Sequence, residues 1–548
     1  MDRLIEQTTE NPQGGGPMSA QRRSLLLACS VLLLGWTARA GAAAPPVRPT
    51  GLNPAETARV RSWIAAHQRE LLQEFTDLLA IPAVAADTPN IDRNAEAVRA
   101  MLARRGLSPR GLRVPGSPEV VIGEWRTPGA THWINFYAHY DGQPVDAAQW
   151  TTPPWQPVTK SADGHAVDWR SAALPLDPEL RLYGRATGDD KAAVFGLLAA
   201  VDALRAAGAA PRVNLRFVFE GEEEAGSPHL EAQLKEHAAE LATDAWILCD
   251  GPVHQSRRPQ VFFGARGVVG LEITVYGPDH GLHSGHYGNW APDPTALLVH
   301  LLAGMRDEEG TITIDGFSDE VRPLSAAERE ALAEVPVVDD ALLEELALAT
   351  SSGRPEHLVE RLQRPALNIH GLESGHVGAQ ASNTVQAQAR ASIDFRLVPD
   401  QTLAGVRLAV ERHLERRGWL VVHEAPDRAT RRAHARVVRL DWGAGYPAAR
   451  TPLDAPIARQ LVASVAAASG GPVVRMPMLG GSIPMILFQG PQRATPVIGL
   501  PIANHDDNQH AADENLRLQN LWDGIAAYAA AFAGFDDTAF AGRAAAPR

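Results

Sequence analysis

Acidic and histidine side chains recur at one kind of place in this chain of 548 residues, directly after or beside short apolar runs. The segments that share this placement are His139-Tyr140-Asp141, Gly188-Asp189-Asp190-Lys191, Glu220-Gly221-Glu222-Glu223-Glu224, Asp250, and the stretch from His505 to His510. Each has an ordinary explanation by itself, because a His-x-Asp after a strand is usually a hydrogen-bonded turn and paired Asp residues suit the start of a helix. Their common position is what suggests chemistry.

If the apolar runs are neighbouring strands of one sheet, their carboxylates meet at a single edge, with only Lys191 nearby as a cation. Such mutual repulsion requires positive charge, which a pair of divalent metal ions supplies. The chain contains two cysteines, Cys29 and Cys249, and this excludes a thiolate-rich metal site. The pattern therefore predicts a metal site whose ligands are His, Asp and Glu.

The elements that must position these side chains alternate along the chain. Three apolar runs are typical of buried strands, namely Trp133–Ala138, Leu215–Phe219 and Ala245–Cys249. The stretch Ala192–Ala207 between them is typical of a helix that ends at Gly208. This alternation predicts an α/β fold with a mostly parallel sheet, in which ligands bind beyond the carboxyl ends of the strands.

A region from about 268 to 445 has a pattern of its own. It contains predicted strands over Val268–Tyr276 and Ala387–Leu397, predicted helices over Pro294–Met305 and Leu403–Arg416, and a polar, helix-rich stretch over 306–365. Before this region, the spacing of apolar residues over 55–80 predicts a helix that is stopped by Pro82. After residue 450 the α/β pattern returns, with a predicted strand over Pro496–Leu500 and a final helix over Glu514–Phe532. We therefore expect a second unit inserted into the α/β unit.

The composition excludes several classes of protein. Hydrophobic residues make up 45 % of the chain and charged residues 21 %, so the whole chain cannot be disordered. The formal net charge of −13 argues against a nucleic-acid or anionic-membrane partner, since phosphate binding needs clustered Lys and Arg.

The N-terminus is typical of an export signal over residues 1–44. Arg22-Arg23 precede an apolar run from Leu25 to Trp36, and small residues such as Ala38-Arg39-Ala40 follow it. The run is too short to span a bilayer, which needs about 20 residues. The paired arginines predict the twin-arginine route, with an ordinary export signal as the alternative, and Met18 is a candidate true start.

Eight short strings in this chain closely resemble, in order, the dinuclear zinc metallopeptidase family of carnosinase, carboxypeptidase G, acetylornithine deacetylase and succinyl-diaminopimelate desuccinylase. They are HYDGQP, LYGRATGDDK, FEGEEEAGSPHL, ILCDGP, GLHSG, SIDFRLVP, GGSIP and NQHAADEN, and the resemblance spans about residues 55–535. It implies an α/β catalytic domain (50–267 and 446–540) interrupted by a smaller α+β lid domain (268–445) that mediates homodimerisation. The chain looks most like the carnosinase-like dipeptidase branch.

The resemblance also implies a role for each matching residue. It makes Asp189 the ligand that bridges two metal ions, and it implies the further ligands His139 and Asp250 for one ion and Glu224 and His510 for the other. His505 is a competing candidate, but only His510 is followed by the family's H-x-x-N/D-E pattern. Nitrogen and oxygen ligands suit Zn²⁺, with Mn²⁺ or Co²⁺ as substitutes.

Two catalytic roles and three substrate contacts follow from the same resemblance. Glu223 matches the general base, and Asp141 matches the carboxylate that orients His139. Arg396 resembles the arginine that binds a substrate carboxylate, Gly481 and Ser482 resemble a turn that meets the same group, and His283 resembles a histidine donated across the dimer. The family usually has Gly where this chain has Ala186 and Ala192, so the backbone conformation around Asp189 is undecided from the sequence. The family also has Asp where this chain has Gly281.

We therefore expect an exported metallopeptidase with two metal ions per chain that cleaves dipeptides or short peptides with a free C-terminal carboxylate. The alternative with the same site is an amidohydrolase or deacylase that cleaves N-acyl amino acids. A metal-free binding protein of the same fold is a third possibility, and the complete ligand set together with Glu223 argues against it.

Overall fold

The computed structural model describes residues 51–352, 355–490 and 494–541. The α-helices in these ranges are α1 (Pro54–Ala66), α2 (Gln68–Leu79), α3 (Thr88–Arg104), α4 (Lys191–Ala206), α5 (Leu230–Glu236), α6 (Ser284–Tyr287), α7 (Pro294–Ala303), α8 (Ala326–Ala333), α9 (Asp339–Glu345), α10 (Leu358–Arg361), α11 (Leu403–Arg416), α12 (Arg428–Ala433), α13 (Pro456–Ser469), α14 (Met485–Phe488) and α15 (Leu518–Ala533).

The β-strands in the same ranges are β1 (Arg110–Leu112), β2 (Val120–Trp125), β3 (Trp133–His139), β4 (Val158–Lys160), β5 (Arg181–Tyr183), β6 (Asn214–Glu220), β7 (Ala245–Leu248), β8 (Gln260–Phe262), β9 (Gly264–Ala265), β10 (Gly267–Tyr276), β11 (Leu282–His283), β12 (Ala366–Glu373), β13 (Thr384–Val385), β14 (Gln388–Leu397), β15 (Leu420–Val422), β16 (Val437–Tyr446), β17 (Ala449–Arg450), β18 (Val474–Met476), β19 (Val497–Gly499) and β20 (Asn515–Arg517).

The larger sheet has eight strands in the order β1-β2-β6-β3-β7-β19-β8-β18. Its centre, β6-β3-β7-β19, is parallel, as is the pair β8–β18. The pairs β1–β2, β2–β6 and β8–β19 are antiparallel, so the sheet as a whole is mixed. The expected α/β class is confirmed, and the three predicted central strands lie side by side as β6, β3 and β7.

Helices α4 and α15 cover this sheet and bury most of their residues. Because α4 is apolar on nearly all sides, it must be enclosed, and α15 packs directly against it. Gly196 allows this close approach, since a Cβ there would lie 3.2 Å from side-chain atoms of both Tyr528 and Ile502. The N-terminus of α4 is thereby held rigidly beside the ends of the central strands.

The smaller sheet has five strands in the order β12-β14-β10-β16-β15, all drawn from the chain between Gly267 and Tyr446. Alternation along β10 and β14 puts apolar residues such as Val269 and Phe395 on one face, in a core of their own with residues of α7 and α11. The opposite face carries polar residues, among them Arg396. The predicted elements of this region are confirmed within two residues at each end.

The two chain segments that connect the sheets run next to each other. β9 pairs with β17, with Ala265 opposite Ala449 and Gly264 opposite Arg450. A Cβ at Gly264 would lie 2.3 Å from the carbonyl oxygen of Ala449, so the two segments approach as closely as they do only with glycine there. The smaller sheet is therefore attached through one narrow two-stranded connection.

The polar stretch 306–365 contains α8, α9 and α10 among its described residues, and it packs back against the larger sheet. Leu332 and Val335 share a core with Val474 of β18. The guanidinium of Arg450 forms a buried ion pair with Glu328 of α8 at 2.8 Å. This stretch thus forms a second contact between the two sheets.

Two predicted helices need correction. The stretch 55–80 is two helices that meet at His67, whose imidazole Nδ1 lies 2.8 Å from the carbonyl oxygen of Trp63 and whose ring stacks on that indole. The predicted helix over Glu514–Phe532 begins only at Leu518, because Asn515–Arg517 form a strand that pairs with β5.

The predicted export signal, residues 1–44, lies outside the described residues, as does Met18. No helix in the described part of the chain is long and apolar enough to cross a membrane.

Candidate metal centre

The predicted metal ligands all lie at the carboxyl-end edge of the larger sheet. His139 is the last residue of β3, Asp250 follows β7, and Glu224 lies in a 3₁₀ turn (Glu223–Ala225) that follows β6. Asp189 lies just before α4, and His510 lies in the loop between β19 and β20. Residues from five separate segments are therefore brought to one place, as the strand-end pattern predicted.

These residues form two groups that share Asp189. The possible ligand atoms of His139, Asp189 and Asp250 lie within 4.8 Å of one another, as do those of Asp189, Glu224 and His510. His139 Nε2 is 3.0 Å from Asp189 Oδ1, and His510 Nε2 is 3.1 Å from Asp189 Oδ2 and 3.2 Å from Glu224 Oε2. His505 belongs to neither group, and its Nδ1 is 4.0 Å from Asp506.

The charges in this cluster fit divalent metal ions. Burial, and next the charge of Asp189, raises the pKa of Asp250 to about 7, and the Asp250 carboxylate has no hydrogen bond or ion pair within the described ranges. Burial alone would raise the pKa of Asp189 too, but hydrogen bonds with His139 and His510 hold it well below its usual range. A buried carboxylate without a partner is costly, and a cation between these groups would relieve that cost.

Lys191 does not neutralise the cluster. Its ammonium is fully buried and donates to the carbonyl oxygens of Leu78 and Ile81, both at 3.0 Å, at the C-terminal end of α2. Burial lowers the pKa of Lys191 to about 7. The cation nearest in sequence therefore stabilises a helix end, and the carboxylates keep their need for positive charge.

Asp141 links a ligand to the expected base. Its Oδ1 lies 3.3 Å from His139 Nδ1, and its two oxygens accept the backbone N–H groups of Glu223 at 3.1 Å and Glu224 at 3.0 Å. One buried carboxylate thus orients the imidazole of His139 and also holds the 3₁₀ turn that carries Glu223 and Glu224. The predicted partner of His139 has this second role, which sequence reasoning missed.

Glu223 faces the cluster. Its Oε2 is 3.9 Å from His139 Nε2, and its side chain is 18 % exposed. Burial raises the pKa of Glu223 well above its usual range; His139 opposes this shift, whereas Asp250 and Asp189 add to it. A raised pKa suits a group that must take up a proton and release it again.

Glu514 was not singled out from the sequence, although it stands in the string NQHAADEN. Its buried carboxylate accepts the backbone N–H groups of Ala186 at 2.9 Å, Gly188 at 2.8 Å and Asp189 at 3.0 Å, and it pairs with Arg185 at 2.8 Å. Ala186 has a φ of 62°, in the left-handed region that favours glycine. The sequence left the backbone conformation at Ala186 undecided, and Glu514 holds it in the left-handed region.

Arg396 of the smaller sheet and Ser482 of the turn before α14 are two expected substrate contacts, and they meet each other. Arg396 Nη1 donates to Ser482 Oγ at 2.7 Å, and Arg396 Nε lies 2.6 Å from Asp394 Oδ2. Ser482 and its neighbour Gly481 lie in the turn before α14, where Arg266 donates to the carbonyl oxygen of Gly480 at 2.9 Å. Arg266 was also missed, because its role depends on a contact 214 residues away.

His283 lies elsewhere. It is an exposed residue of the two-stranded pair β11–β13, where its Nδ1 accepts the N–H of Gly285 at 3.1 Å and its ring lies 4.6 Å from that of His286. In the described part of this single chain, His283 contacts none of the metal-ligand candidates.

Comparison with known proteins agrees with this geometry. The model of peptidase family M20/M25/M40 matches residues 135–533, which include every candidate ligand. The chain belongs to this peptidase family.

The peptidase is similar to the Cys-Gly metallodipeptidase DUG1 of Saccharomyces cerevisiae, with 27 % identity over 78 % of this chain and 84 % of the relative. It is also similar to the Beta-Ala-His dipeptidase of Homo sapiens, with 28 % identity over 73 % of this chain and 78 % of the relative. The crystal structure of human carnosine dipeptidase 1 shares its fold, with a TM-score of 0.68, 24 % identity, and coverage of 89 % of this chain and 99 % of that one. The protein is thus a metal-dependent peptidase.

Proposed function

We propose that this peptidase hydrolyses dipeptides and other short peptides with a free C-terminal carboxylate, using two divalent metal ions per chain. The observation that carries the proposal is the pair of ligand groups that share Asp189, with the carboxylate of Glu223 3.9 Å from His139. The relatives named as dipeptidases support the substrate class. Zn²⁺ suits these ligands, with Mn²⁺ or Co²⁺ as substitutes.

Different residues of the chain would bind the metal ions and transfer the proton. His139, Asp189 and Asp250 would hold one ion, and Asp189, Glu224 and His510 the other. When bound, such ions lower the pKa of a water molecule and polarise the scissile carbonyl. Glu223 then takes a proton from the attacking water and delivers it to the leaving amine nitrogen, which leaves as a neutral amine.

One group from the smaller sheet and one from the turn before α14 would bind the substrate. Arg396 and Ser482, already joined by a hydrogen bond, face the terminal carboxylate, since a guanidinium and a hydroxyl both donate to its oxygens. His283 would come from a second copy of this chain in a homodimer, because within one chain it lies away from the metal ligands. As a donor to the developing oxyanion, it would contribute about 10²–10³ in rate.

We also propose that the protein is exported, by the twin-arginine route, with residues 1–44 as its signal. Arg22-Arg23 and the small residues after Trp36 support this. N-terminal sequencing of the protein from its native host tests it: a mature chain that lacks about the first 40 residues is expected, and an intact N-terminus in the cytoplasmic fraction contradicts it. Arg22→Lys with Arg23→Lys should block export if the route is the twin-arginine one.

The test of the activity compares substrates on metal-loaded protein. A dipeptide, the same dipeptide with one further residue at its C-terminus, and an N-acyl amino acid with the same C-terminal residue are assayed before and after chelation. Fastest cleavage of the dipeptide, abolished by chelator and restored by metal, supports the proposal. Preference for the N-acyl amino acid indicates the deacylase alternative, and full activity of protein that contains no metal contradicts the mechanism.

A further inference from the structure

Tyr446 lies in one row with Arg396 across the smaller sheet. Val268 of β10 is paired with Arg396 on one side and with Tyr446, the last residue of β16, on the other. Residues directly opposite each other in a sheet point to the same face, and strands are about 4.8 Å apart, so the two backbones are about 10 Å apart. Tyr446 thus extends from the polar face that carries Arg396, at the end of the sheet next to the connection β9–β17.

The hydroxyl of Tyr446 is free of protein partners, as are those of Tyr183, Tyr276 and Tyr287 among the described residues. The side chain is half-buried, yet its hydroxyl makes no hydrogen bond within the ranges 51–352, 355–490 and 494–541. By contrast, the hydroxyls of Tyr137 and Tyr140 donate to Glu220 Oε2 at 2.6 Å and to the carbonyl oxygen of Glu119 at 2.5 Å. The Tyr446 hydroxyl is not among the buried polar atoms of the described residues, so it is open to a ligand that enters beside it.

Charges of opposite sign act on this hydroxyl. Burial, and next the carboxylate of Glu223, raises the pKa of Tyr446 to about 12, whereas the guanidinium of Arg396 lowers it. Tyr446 therefore stays a protonated donor at neutral pH. It also shares a sheet face with Arg396, and the charge of Glu223 acts on it from the side of the larger sheet.

Arg396 has only part of its guanidinium available to a substrate carboxylate. Its Nε is engaged by Asp394 and one N–H of its Nη1 by Ser482. A carboxylate offers about four lone-pair positions, so further donors have room. In the C-terminal residue of a peptide only Cα separates the amide nitrogen from the carboxylate carbon, so the carboxylate of a bound dipeptide lies close to the bond that is cleaved.

We propose that the hydroxyl of Tyr446 donates a hydrogen bond to the terminal carboxylate of the bound peptide, opposite Arg396 and Ser482. The inference rests on the proposed function and adds a specificity-determining residue to it. Tyr446 acts on ground-state binding of a group that does not react, so its loss weakens binding and leaves the chemical step intact.

The first test is Tyr446→Phe, which removes one oxygen atom and keeps the ring. On a dipeptide, KM should rise about tenfold or more, with kcat within about twofold, since a hydrogen bond to a charged acceptor is lost. On the matching aminoacyl ethylamide, which has no carboxylate, wild type and variant should have the same kcat/KM. Tyr276→Phe, at the far end of β10, is the matched control and should leave both substrates unaffected.

The second test measures binding without turnover. Calorimetric titration of the dipeptide into Glu223→Gln and into Glu223→Gln/Tyr446→Phe should show about tenfold weaker binding to the double variant. Equal binding to the two proteins overturns the inference, as does a loss of kcat that is the same for the dipeptide and the ethylamide. Wild-type protein that cleaves no dipeptide at all overturns the proposed function instead, so the two failures are distinguishable.

Discussion

The carboxylate of Glu514 accepts a hydrogen bond from the backbone N–H of Asp189 at 3.0 Å, across 325 residues of sequence. Two more backbone N–H groups of the same loop, those of Ala186 and Gly188, point at the same carboxylate. Burial raises the pKa of Glu514 to about 7 against the effect of Arg185. The shared ligand of both candidate metal groups is therefore placed by a residue that binds no metal itself.

Glu514→Gln should weaken metal binding. An amide has one acceptor oxygen and turns N–H donors toward a loop that also presents donors, so at least one of the three bonds is lost. Loss of a group that orients a ligand typically costs about 10- to 100-fold in metal affinity. Competition with a chelator measures the affinity; the exposed Glu330→Gln is the control, and unchanged affinity in Glu514→Gln would contradict the role.

Glu223→Gln separates metal binding from proton transfer. Glu223 belongs to neither ligand group, so the variant should keep about two metals per chain by elemental analysis. Its turnover should fall by about 10²–10⁴, as expected when a general base is removed. Exposed Glu231→Gln serves as the matched control, and an unimpaired Glu223→Gln enzyme would show that another group takes the proton.

Complementation tests whether His283 acts across a dimer. His283→Ala and Glu223→Gln should each have little activity alone. A mixed dimer contains one site in which both residues are intact, so mixing under conditions that allow subunit exchange should recover up to half of the wild-type activity per mixed dimer. No recovery despite verified exchange, or full activity in a monomer, rules out donation from the second chain.

At acid pH, Asp506 should no longer contribute to the free energy of unfolding. Burial would raise the pKa of Asp506, but hydrogen bonds with Arg181 and Asn504 outweigh it and hold the pKa well below its usual range. A depressed pKa contributes stability that is fully present above the unfolded value of about 3.9 and is lost as pH falls below it. Asp506→Asn should therefore lower the free energy of unfolding by about 2 kcal/mol at pH 7.

Urea unfolding of the chelated protein measures this effect at several pH values. The difference between wild type and Asp506→Asn should narrow as pH falls from 4 to 2.5, and exposed Asp441→Asn should show no difference at either end. A constant difference across that range would mean that the ion pairs of Asp506 contribute no net stability.

The local sequence pattern was sufficient to predict the central strands and α4. Apolar runs of five or six residues predicted β3, β6 and β7, and three of the ligand candidates (His139, Glu224 and Asp250) come at or after the ends of these strands. The break at His67 was not predictable, because both halves share the apolar spacing of one helix. Asn515–Arg517 were assigned to a helix, and only their pairing with β5 makes them a strand.

The missed site residues share one property, which is that their role depends on a distant partner. Glu514, Arg266 and Tyr446 each act through contacts with segments far away along the chain. Glutamate, arginine and tyrosine are ordinary residue types for a loop, the start of a strand and the end of a strand. Spacing within a motif carries no information about such contacts, so only the folded arrangement reveals them.

The order of strands along the chain also decides when the second ligand group, Asp189, Glu224 and His510, is complete. The inner strand β19 of the larger sheet and the loop that carries His510 follow the whole smaller sheet in the chain. During synthesis the smaller sheet can therefore fold first, while the neighbour of β7 and one ligand of the second metal group are still missing. Under the proposed function, the second ion would therefore bind only when and where this last segment folds.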